Sequence, residues 1–356
     1  MLCLLSTSMF PLPPWRFTGY GGGELIAYYL AVELARRDKL KVFATPQSEI
    51  AGAEVLPIPP SYTTPKGERG VVKMYAGELS RCDVVIDTSS TAVAAEWWFL
   101  HRRPTVVVRN GYDLSRPYMG KYTLVVYTKA VAKYAEMKGI KAKACMPGVE
   151  AGAGPVPYKV SEPGKYVLYL GRPHPSKGVE HILKLARMRP NVRFVLAWHP
   201  TLPDHYFYHV KYKKEAKKLG NVSVLLMPGG ERGEIVKREL LARARLFVQP
   251  TVYLEAFGMV MAEALVSGAP VLTTTAGSGP ELVDDETGAL VRNKLSLEEQ
   301  ADRWQEKADE AVDLEELVQA FDEALERKWD RRAVAERARS KFSTKKFADC
   351  LLSYEV

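Results

Sequence analysis

The chain has 356 residues, 47% of them hydrophobic and 26% charged, and its formal net charge is +8. This length suits two domains of ordinary size, and the composition excludes a disordered or fibrous chain. No run of about 18 apolar residues is present, so we expect no membrane-spanning helix.

The positive net charge favours an anionic partner, such as a nucleoside diphosphate, a phosphorylated acceptor or an anionic membrane surface. A solvated surface of lysine, arginine and glutamate, as thermophile proteins carry, explains the same balance. The sequence has no nucleic-acid-binding motif and no basic tract interleaved with aromatic residues, so we expect no nucleic acid among the partners.

The four cysteines are widely separated, and no pair has the spacing of a metal site or a redox motif. Three of them lie in apolar runs, which predicts buried free thiols in a reducing compartment and therefore a cytoplasmic protein. The four cysteines of the chain are Cys3, Cys82, Cys145 and Cys350.

Short apolar runs alternate with helical patterns along the whole chain. In the first half, strands are predicted at Leu2–Leu5, Lys41–Ala44, Val84–Ile86, Thr105–Val108, Leu124–Tyr127 and Ala142–Met146. Helices are predicted between them at Glu24–Arg37, Val71–Arg81, Thr91–Leu100 and Ala130–Lys138.

The second half repeats this alternation without a strict sequence repeat. Its predicted strands are Tyr166–Leu170, Arg193–Ala197, Val222–Leu226, Leu246–Val248, Val271–Thr273 and Ala289–Val291. Its predicted helices are Val179–Met188, Tyr206–Leu219, Gly233–Arg243, Gly258–Ser267 and Pro280–Val283, followed by charged helices over Leu295–Lys328 and Arg331–Leu352.

The predicted strands are continuously apolar, which indicates parallel sheets covered on both faces. We therefore expect an α/β protein of two Rossmann-like, doubly wound domains, residues 1–150 and 165–335, joined by a linker rich in glycine and proline. The C-terminal residues 340–356 are expected to pack back on the first domain. Such domains bind ligands at the carboxyl ends of their strands, so we expect the two to face each other across a cleft.

Consecutive glycines, Gly21 to Gly23, precede the first predicted helix. Glycines at a helix start let backbone N–H groups approach a phosphate or a sugar, and the helix dipole favours an anion there. Gly22 and Gly23 are therefore candidate ligand-binding residues. A flexible loop tip would give the same pattern.

The turn from Gly171 to Gly178 follows a predicted strand and contains Arg172 and Lys177. Two cations on one turn at the carboxyl end of a strand converge on one place. The arginine fork and the lysine point charge together suit a diphosphate. Two solvated loop cations are the alternative.

Glu255 and Glu263 lie eight positions apart, on either side of a predicted helix start at Gly258. The helix is nearly all apolar and should be buried, so a carboxylate in it needs a partner. The hydroxyl groups of a ribose or a hexose are suitable partners. A carboxylate bonded to the neighbouring backbone is the alternative.

Taken together, these segments resemble the retaining glycosyltransferases of family four, also called glycosyl transferases group 1, which have the GT-B fold. The resemblance covers nearly the whole chain and is strongest from residue 166 to 291. The residues that carry it are Gly21–Glu24, Gly171, Arg172, Lys177, Gly178, Glu255–Gly258, Glu263, Ala264, Gly268–Val271, Gly277, Glu281 and Gly288.

The resemblance implies a metal-independent hexosyltransferase that uses no cofactor and retains the configuration of a UDP-, GDP- or ADP-sugar donor. Arg172 and Lys177 would stabilise the leaving nucleoside diphosphate as catalytic residues. Glu255, also catalytic, would orient the donor sugar, and Glu263 would hydrogen-bond the ribose. The other donor-binding positions that it implies are Gly22, Gly23, Phe257, Gly258 and Met259.

The first domain departs from the family pattern, because no histidine directly follows the predicted strands Val84–Ile86 and Thr105–Val108. Asp87, Arg109 and Asn110 are candidates for that place. The acceptor stays open: a sugar, a sugar phosphate or a lipid-linked acceptor. A lipid-linked acceptor would bring the protein to the inner face of a membrane, and we expect any attachment surface on the first domain.

Two alternatives keep the fold and change the function. One is a nucleotide-sugar epimerase of GT-B architecture, which needs no acceptor. The other is a non-catalytic protein that binds a sugar nucleotide or a glycan and never releases free nucleoside diphosphate.

Overall fold

A computed structural model describes residues 1–6, 10–16, 21–59, 65–89, 105–109, 114, 122–200 and 203–353. The chain divides into two compact units, one formed by Met1–Glu150 with Phe342–Val356 and the other by Ala151–Lys341. Each unit is built on one sheet. Of the described helices, none combines the length and the apolar character needed to cross a membrane.

The first unit has a parallel sheet with the strand order β3-β2-β1-β4-β5-β6-β7. Its strands are β1 (Leu2–Leu5), β2 (Leu40–Ala44), β3 (Ala53–Pro57), β4 (Val84–Asp87), β5 (Thr105–Arg109), β6 (Thr123–Val126) and β7 (Lys143–Ala144). Its described helices are α1 (Gly22–Ala35), α2 (Pro65–Met74), α3 (Ala76–Leu79), α4 (Lys129–Met137) and the last helix of the chain, Thr344–Leu352.

Two features of this unit differ from the sequence prediction. Strand β3 was not predicted, because Glu54 and Pro57 interrupt its short apolar run. The edge strand Val222–Leu226 of the other sheet has the same partial burial but was predicted, because only Ser223 interrupts its apolar residues. The helix predicted over Val71–Arg81 forms two helices, α2 and α3. The helix predicted over Thr91–Leu100 lies outside the described residues.

The second unit has a parallel sheet with the order β10-β9-β8-β11-β12-β13. Its strands are β8 (Tyr166–Leu170), β9 (Arg193–Trp198), β10 (Val222–Leu226), β11 (Leu246–Gln249), β12 (Val271–Thr274) and β13 (Gly288–Val291). Its described α-helices are α5 (Val179–Met188), α6 (Pro203–Ala216), α7 (Gly230–Arg243), α8 (Met259–Val266), α9 (Gly279–Leu282), α10 (Trp304–Lys307), α11 (Leu314–Glu326) and α12 (Arg331–Lys341).

The single helix predicted over Leu295–Lys328 is wrong. An isolated bridge pairs Asn293 with Val312, which forces the chain to turn back before α11 begins. Val312 is buried, and the carboxylate of Asp313 accepts hydrogen bonds from the first backbone N–H groups of α11. A tertiary contact and a helix cap therefore decide where this helix starts.

The prediction of four free thiols is also wrong. Disulfide bonds join Cys3 to Cys82 and Cys145 to Cys350, each with a Cα–Cα distance of 5.9 Å. The partners are 79 and 205 residues apart in sequence, and only the fold brings them together. Since the cysteines do not form free thiols, they no longer support a reducing compartment.

The sheet of the second unit brings three strand ends together. Strand β8 pairs with β11, and β11 pairs with β12, all in parallel. The loops that leave the carboxyl ends of these strands therefore begin at one edge of the sheet, where α/β proteins bind their ligands.

Candidate functional site

The loops after β8, β11 and β12 are held together by backbone hydrogen bonds. The Val252 N–H donates to the carbonyl of Ser176 at 3.0 Å, which joins the first two loops. The Ser278 N–H donates to the carbonyl of Glu255 at 2.9 Å, which joins the second to the third. The side chains on these loops therefore have a defined common scaffold.

Two glycines make this close approach sterically feasible. Gly178 has a φ of +75°, and a Cβ there would lie 2.0 Å from the carbonyl oxygen of Pro250. Gly277 has a φ of +50°, and a Cβ there would lie 2.3 Å from the backbone nitrogen of Glu255. Any side chain at either position would push the loops apart.

A buried ion pair lies at the centre of this scaffold. The Lys177 ammonium donates to Oε2 of Glu255, and both residues are less than 10% exposed. The Tyr253 hydroxyl bridges them, since it accepts from Lys177 Nζ at 2.8 Å and donates to Glu255 Oε1 at 2.8 Å. Gln249 donates to Oε2 of the same carboxylate at 3.5 Å.

The charge state of Glu255 follows from these contacts. Burial by itself raises the pKa of this carboxyl, but the charge and the hydrogen bond of Lys177 outweigh burial and hold the pKa below its usual value. The Tyr253 hydroxyl and the charge of Arg172 act in the same direction. Glu255 is therefore a carboxylate at neutral pH, suited to accept hydrogen bonds from sugar hydroxyls.

Arg172 lies within electrostatic range of the pair. Its charge lowers the pKa of Glu255 and of Lys177, so both cations act electrostatically on the same carboxylate. The turn that carries Arg172 is fixed by the Tyr169 hydroxyl, which donates to the Arg172 carbonyl at 2.5 Å. The two cations and Glu255, predicted from separate sequence segments, are therefore brought together.

His174 lies on the same turn and is not poised to act as a base. Burial, together with the charge of Arg172, lowers the pKa of its imidazole to about 4. Its Nδ1 accepts from the Ser176 N–H at 3.3 Å, and its ring packs against Tyr208 and Trp304. The contacts indicate a neutral side chain that shapes the loop.

Helix α8 begins directly after the Glu255 loop, at Met259, and Gly258 is its N-cap residue. Gly258 has a φ of +81°, and no side chain caps the helix. The first N–H groups of a helix have no partner within it, so the backbone N–H groups at Gly258 and Met259 can donate to a ligand. Phe257, which precedes the N-cap residue, is buried.

Glu263 belongs to a second buried ion cluster. Its Oε1 accepts from the Tyr158 hydroxyl at 2.5 Å and from Lys237 Nζ at 2.7 Å. Lys237 also contacts Glu234 at 2.8 Å, and Arg238 donates to Glu234 at 2.7 Å. The partners of this carboxylate are therefore charged and hydroxyl side chains, in addition to any ligand.

The two clusters are separate in the described part of the chain. No hydrogen bond or ion pair among the described side chains joins Glu263 to Lys177 or Glu255. They are linked through helix α8, which starts at Met259 and carries Glu263 on its second turn. In the other unit, Gly22 and Gly23 form the first turn of α1, behind the extended Gly21.

Sequence reasoning missed the residues that hold these carboxylates in place. Tyr253 stands two positions before Glu255, and its role appears only when its hydroxyl is seen between the ion-paired side chains. The sequence does carry a signal for the second cluster. In α7, Lys237 and Arg238 stand three and four positions after Glu234, which is the spacing of ion pairs on a helix. The structure shows that all three residues are buried. Of the candidates for the missing histidine, Asp87 accepts from the Ser89 N–H at 2.9 Å, and Asn110 lies outside the described residues.

Known proteins resemble the second unit most clearly in sequence. The family model for glycosyl transferases group 1 matches residues 156–328, which include every candidate residue of both clusters. A sucrose synthase of Thermosynechococcus vestitus is 37% identical over 76 residues, 21% of this chain and 9% of that protein. A D-inositol 3-phosphate glycosyltransferase of Mycobacterium sp. (strain KMS) is 33% identical over 132 residues, 35% of this chain and 28% of that protein. The chain thus covers less than a third of the length of these two relatives.

Solved structures resemble the whole chain. A sucrose-phosphate synthase from Thermosynechococcus elongatus superposes with a TM-score of 0.71 at 16% identity, covering 99% of this chain and 97% of that one. The Anabaena protein Alr3699/HepE, solved in complex with UDP and glucose, gives a TM-score of 0.70 at 17% identity, covering 99% and 98%. At such identities the likeness establishes the fold, which is GT-B with two Rossmann-like domains.

Proposed function

We propose that this protein is a retaining glycosyltransferase that moves a hexose from a nucleoside-diphosphate sugar to an acceptor. The second domain holds the donor, and we assign the acceptor to the first. The observation that carries the proposal is the buried Lys177–Glu255 pair beside Arg172, at the sheet edge of the segment matched by the glycosyltransferase family model. The complex of Alr3699/HepE with UDP and glucose supports a nucleotide-sugar donor.

The donor diphosphate binds to the two cations. A lysine ammonium has three N–H donors. Within the described residues, Lys177 directs two of them to Tyr253 and Glu255, and the third can donate to a phosphate oxygen. Arg172, whose charge acts on the same pair, supplies a planar fork. The two charges stabilise the departing diphosphate, a role that needs no metal ion in this proposal.

The sugar is oriented by Glu255 and by the backbone from Phe257 to Met259. Glu255 is ionised and fixed on both oxygens, so it offers its remaining lone pairs to sugar hydroxyls in one geometry. Glu263, on helix α8, offers its carboxylate to the ribose. The N–H groups at the start of α8 donate to the sugar or the phosphate.

Transfer proceeds on one face of the sugar. The bond between the anomeric carbon and the diphosphate oxygen breaks, and its electron pair leaves with the nucleoside diphosphate. The acceptor hydroxyl forms the new bond on the same face, and its proton passes to the departing phosphate. No protein nucleophile is required, and the anomeric configuration is retained.

A donor screen tests this function. The protein is incubated with UDP-, GDP- and ADP-hexoses, with and without sugar, sugar-phosphate and lipid-linked acceptors, while released diphosphate and products are followed by NMR. We expect one donor to give acceptor-dependent release and a product of retained configuration. An isomerised donor without acceptor would identify an epimerase, and binding without release under every condition would identify a binding protein.

Lys177→Ala and Arg172→Ala test the site itself, with Lys184→Ala as the matched control. Lys184 is an exposed cation of α5 that pairs with Asp309 at 3.0 Å. The first two variants should lose release of the diphosphate by 100-fold or more, on the order of a lost charge-stabilising group. Equal activity in all three variants would remove the two cations from the mechanism.

A further inference from the structure

Helix α6 presents three large apolar side chains to solvent on one face. Tyr206 is 56% exposed, Phe207 66% and Val210 65%. Their spacing places them side by side, because residues three and four apart are neighbours on a helix. The opposite face is packed, since His205, Tyr212 and Ala216 are buried. Among the described residues, α6 is thus a helix on which several large apolar side chains share one exposed face.

The same face continues into a row of lysines. Lys213, Lys214 and Lys217 follow Val210 at three, four and seven positions, and all three are exposed. None has an acidic group within ion-pair distance among the described residues. We call Tyr206, Phe207, Val210, Lys213, Lys214 and Lys217 together the α6 face.

The acidic residues near α6 do not neutralise this face. Glu215 lies on the flank and pairs with Lys218 at 2.6 Å. Glu180, on the adjacent α5, pairs with Lys211 at 2.9 Å. Asp204 lies on the flank towards His174, at 3.9 Å from its Nε2. The α6 face therefore combines an apolar end with a positive end whose three lysines form no ion pair with the described residues.

We propose that the α6 face docks on an anionic lipid surface. Phe207 and Val210 gain by leaving water for the boundary between headgroups and acyl chains, and the neighbouring lysines bind anionic headgroups. Lysine stems add apolar contact while their ammonium groups stay in the headgroup layer. A nucleic acid would also attract the lysines and stack its bases on Tyr206 and Phe207, but the aliphatic Val210 beside them offers no stacking surface, which favours the lipid.

The surface lies on the second domain, whereas the sequence led us to expect attachment through the first. It is also separate from the candidate donor site, because among the described residues none of its six members forms a hydrogen bond or an ion pair with Lys177, Glu255 or Glu263. Lipid binding is therefore testable independently of glycosyl transfer.

Vesicle co-sedimentation tests the proposal on the full chain. Vesicles of phosphatidylcholine alone are compared with vesicles that also contain phosphatidylglycerol, at low and high salt. We expect binding only to the anionic vesicles and a clear loss at high salt. No sedimentation of the parent protein with either vesicle would overturn the proposal.

Two variants separate the apolar end from the basic end. Phe207→Ser with Val210→Ser, and Lys213→Glu with Lys214→Glu and Lys217→Glu, should each weaken vesicle binding tenfold or more, since each lysine near an anionic surface is worth about a fivefold factor. Met137→Ser and Lys133→Glu on α4 are matched exposed controls and should bind as the parent does.

Circular dichroism and nucleotide titration verify that each variant remains folded. Vesicle binding that is unchanged in both α6 variants would contradict the proposal. Loss in the lysine variant alone, with equal or tighter binding of the parent to a single-stranded oligonucleotide, would also overturn it and assign the lysines to nucleic acid.

Discussion

Lys177 and Glu255 are 78 residues apart in sequence, yet their side chains form one buried ion pair at the carboxyl edge of the second sheet. Each comes from a different loop. Gly178, beside Lys177, lies against the backbone of Pro250, and Gly277 of the third loop lies against the backbone of Glu255. The pair is thus built into the scaffold before any ligand binds, which lowers the cost of ordering a charged donor.

Breaking the pair on one side should destabilise the protein strongly. Lys177→Met leaves the Glu255 carboxylate buried without its cation, so we expect a loss of about 3–5 kcal/mol in the free energy of unfolding of the second domain. Urea denaturation measures it. Lys184→Met, which removes an exposed partner of Asp309, is the control and should cost about 1 kcal/mol or less. Similar losses in the two variants would show that the buried pair is not special.

The stability supplied by Glu255 should depend on pH in a defined direction. Because the folded-state pKa of Glu255 is below its ordinary value of 4.5, its contribution is present above that pH and is lost as the pH falls through the folded-state pKa. The difference in unfolding free energy between the parent protein and Glu255→Gln should therefore be largest near neutral pH and shrink in acid. A difference that grows in acid would mean that the carboxyl is protonated in the native protein.

Donor binding should be lost at a lower pH than the pH at which an ordinary lysine loses its proton. Burial and the charge of Arg172 lower the pKa of Lys177 from 10.5, against the opposing effect of Glu255. As the pH rises, Lys177 loses its proton and its attraction for the diphosphate before an ordinary lysine would. The pH profile of kcat/KM should show this limb, and Lys177→Arg should move it upward because arginine stays charged. A limb that is identical in both proteins would belong to another group.

Tyr253→Phe should impair catalysis more than stability. The hydroxyl that bridges Lys177 and Glu255 is lost, so we expect kcat/KM to fall about tenfold as the two groups lose their fixed geometry. The free energy of unfolding should fall by only about 1 kcal/mol. Tyr166→Phe is the control, since its hydroxyl donates to the Leu240 carbonyl away from the site. It should cost similar stability and leave kcat/KM unchanged.

Lys237→Met should leave two carboxylates, Glu234 and Glu263, buried with one cation fewer. We expect an unfolding free energy lower by about 3 kcal/mol or more.

Tyr158→Phe removes only the hydroxyl that donates to Glu263 and keeps the ring against Arg238, whose guanidinium carbon lies 3.9 Å from the ring centroid. If Glu263 binds the ribose, Tyr158→Phe should weaken nucleoside diphosphate binding several-fold with little loss of stability. Unchanged affinity would make this cluster purely structural.

The sequence predicted the strands of the second domain well because each contains a short apolar run. It missed β3, whose apolar run is interrupted by Glu54 and Pro57, and the break before α11, which depends on the pairing of Asn293 with Val312. The disulfides escaped because their partners meet only in the folded chain.

The candidate site shows the same division. Arg172, Lys177 and Glu255 stand out from sequence because charged residues follow apolar strands, and the structure brings them together. The side chains that hold these residues in place cannot be identified from the sequence. Tyr253 is an ordinary loop tyrosine in the sequence, and only the structure shows its hydroxyl between two charged groups. The partners of Glu263 lie 26 and 105 residues away.

Titration calorimetry with UDP, GDP and ADP tests the central claim most directly. We predict that the parent protein binds one of these nucleotides, that Lys177→Ala and Arg172→Ala each weaken the binding at least tenfold, and that Lys184→Ala leaves it unchanged. A parent protein that binds none of the three, or equal affinities in all four proteins, would contradict a diphosphate site at Arg172 and Lys177.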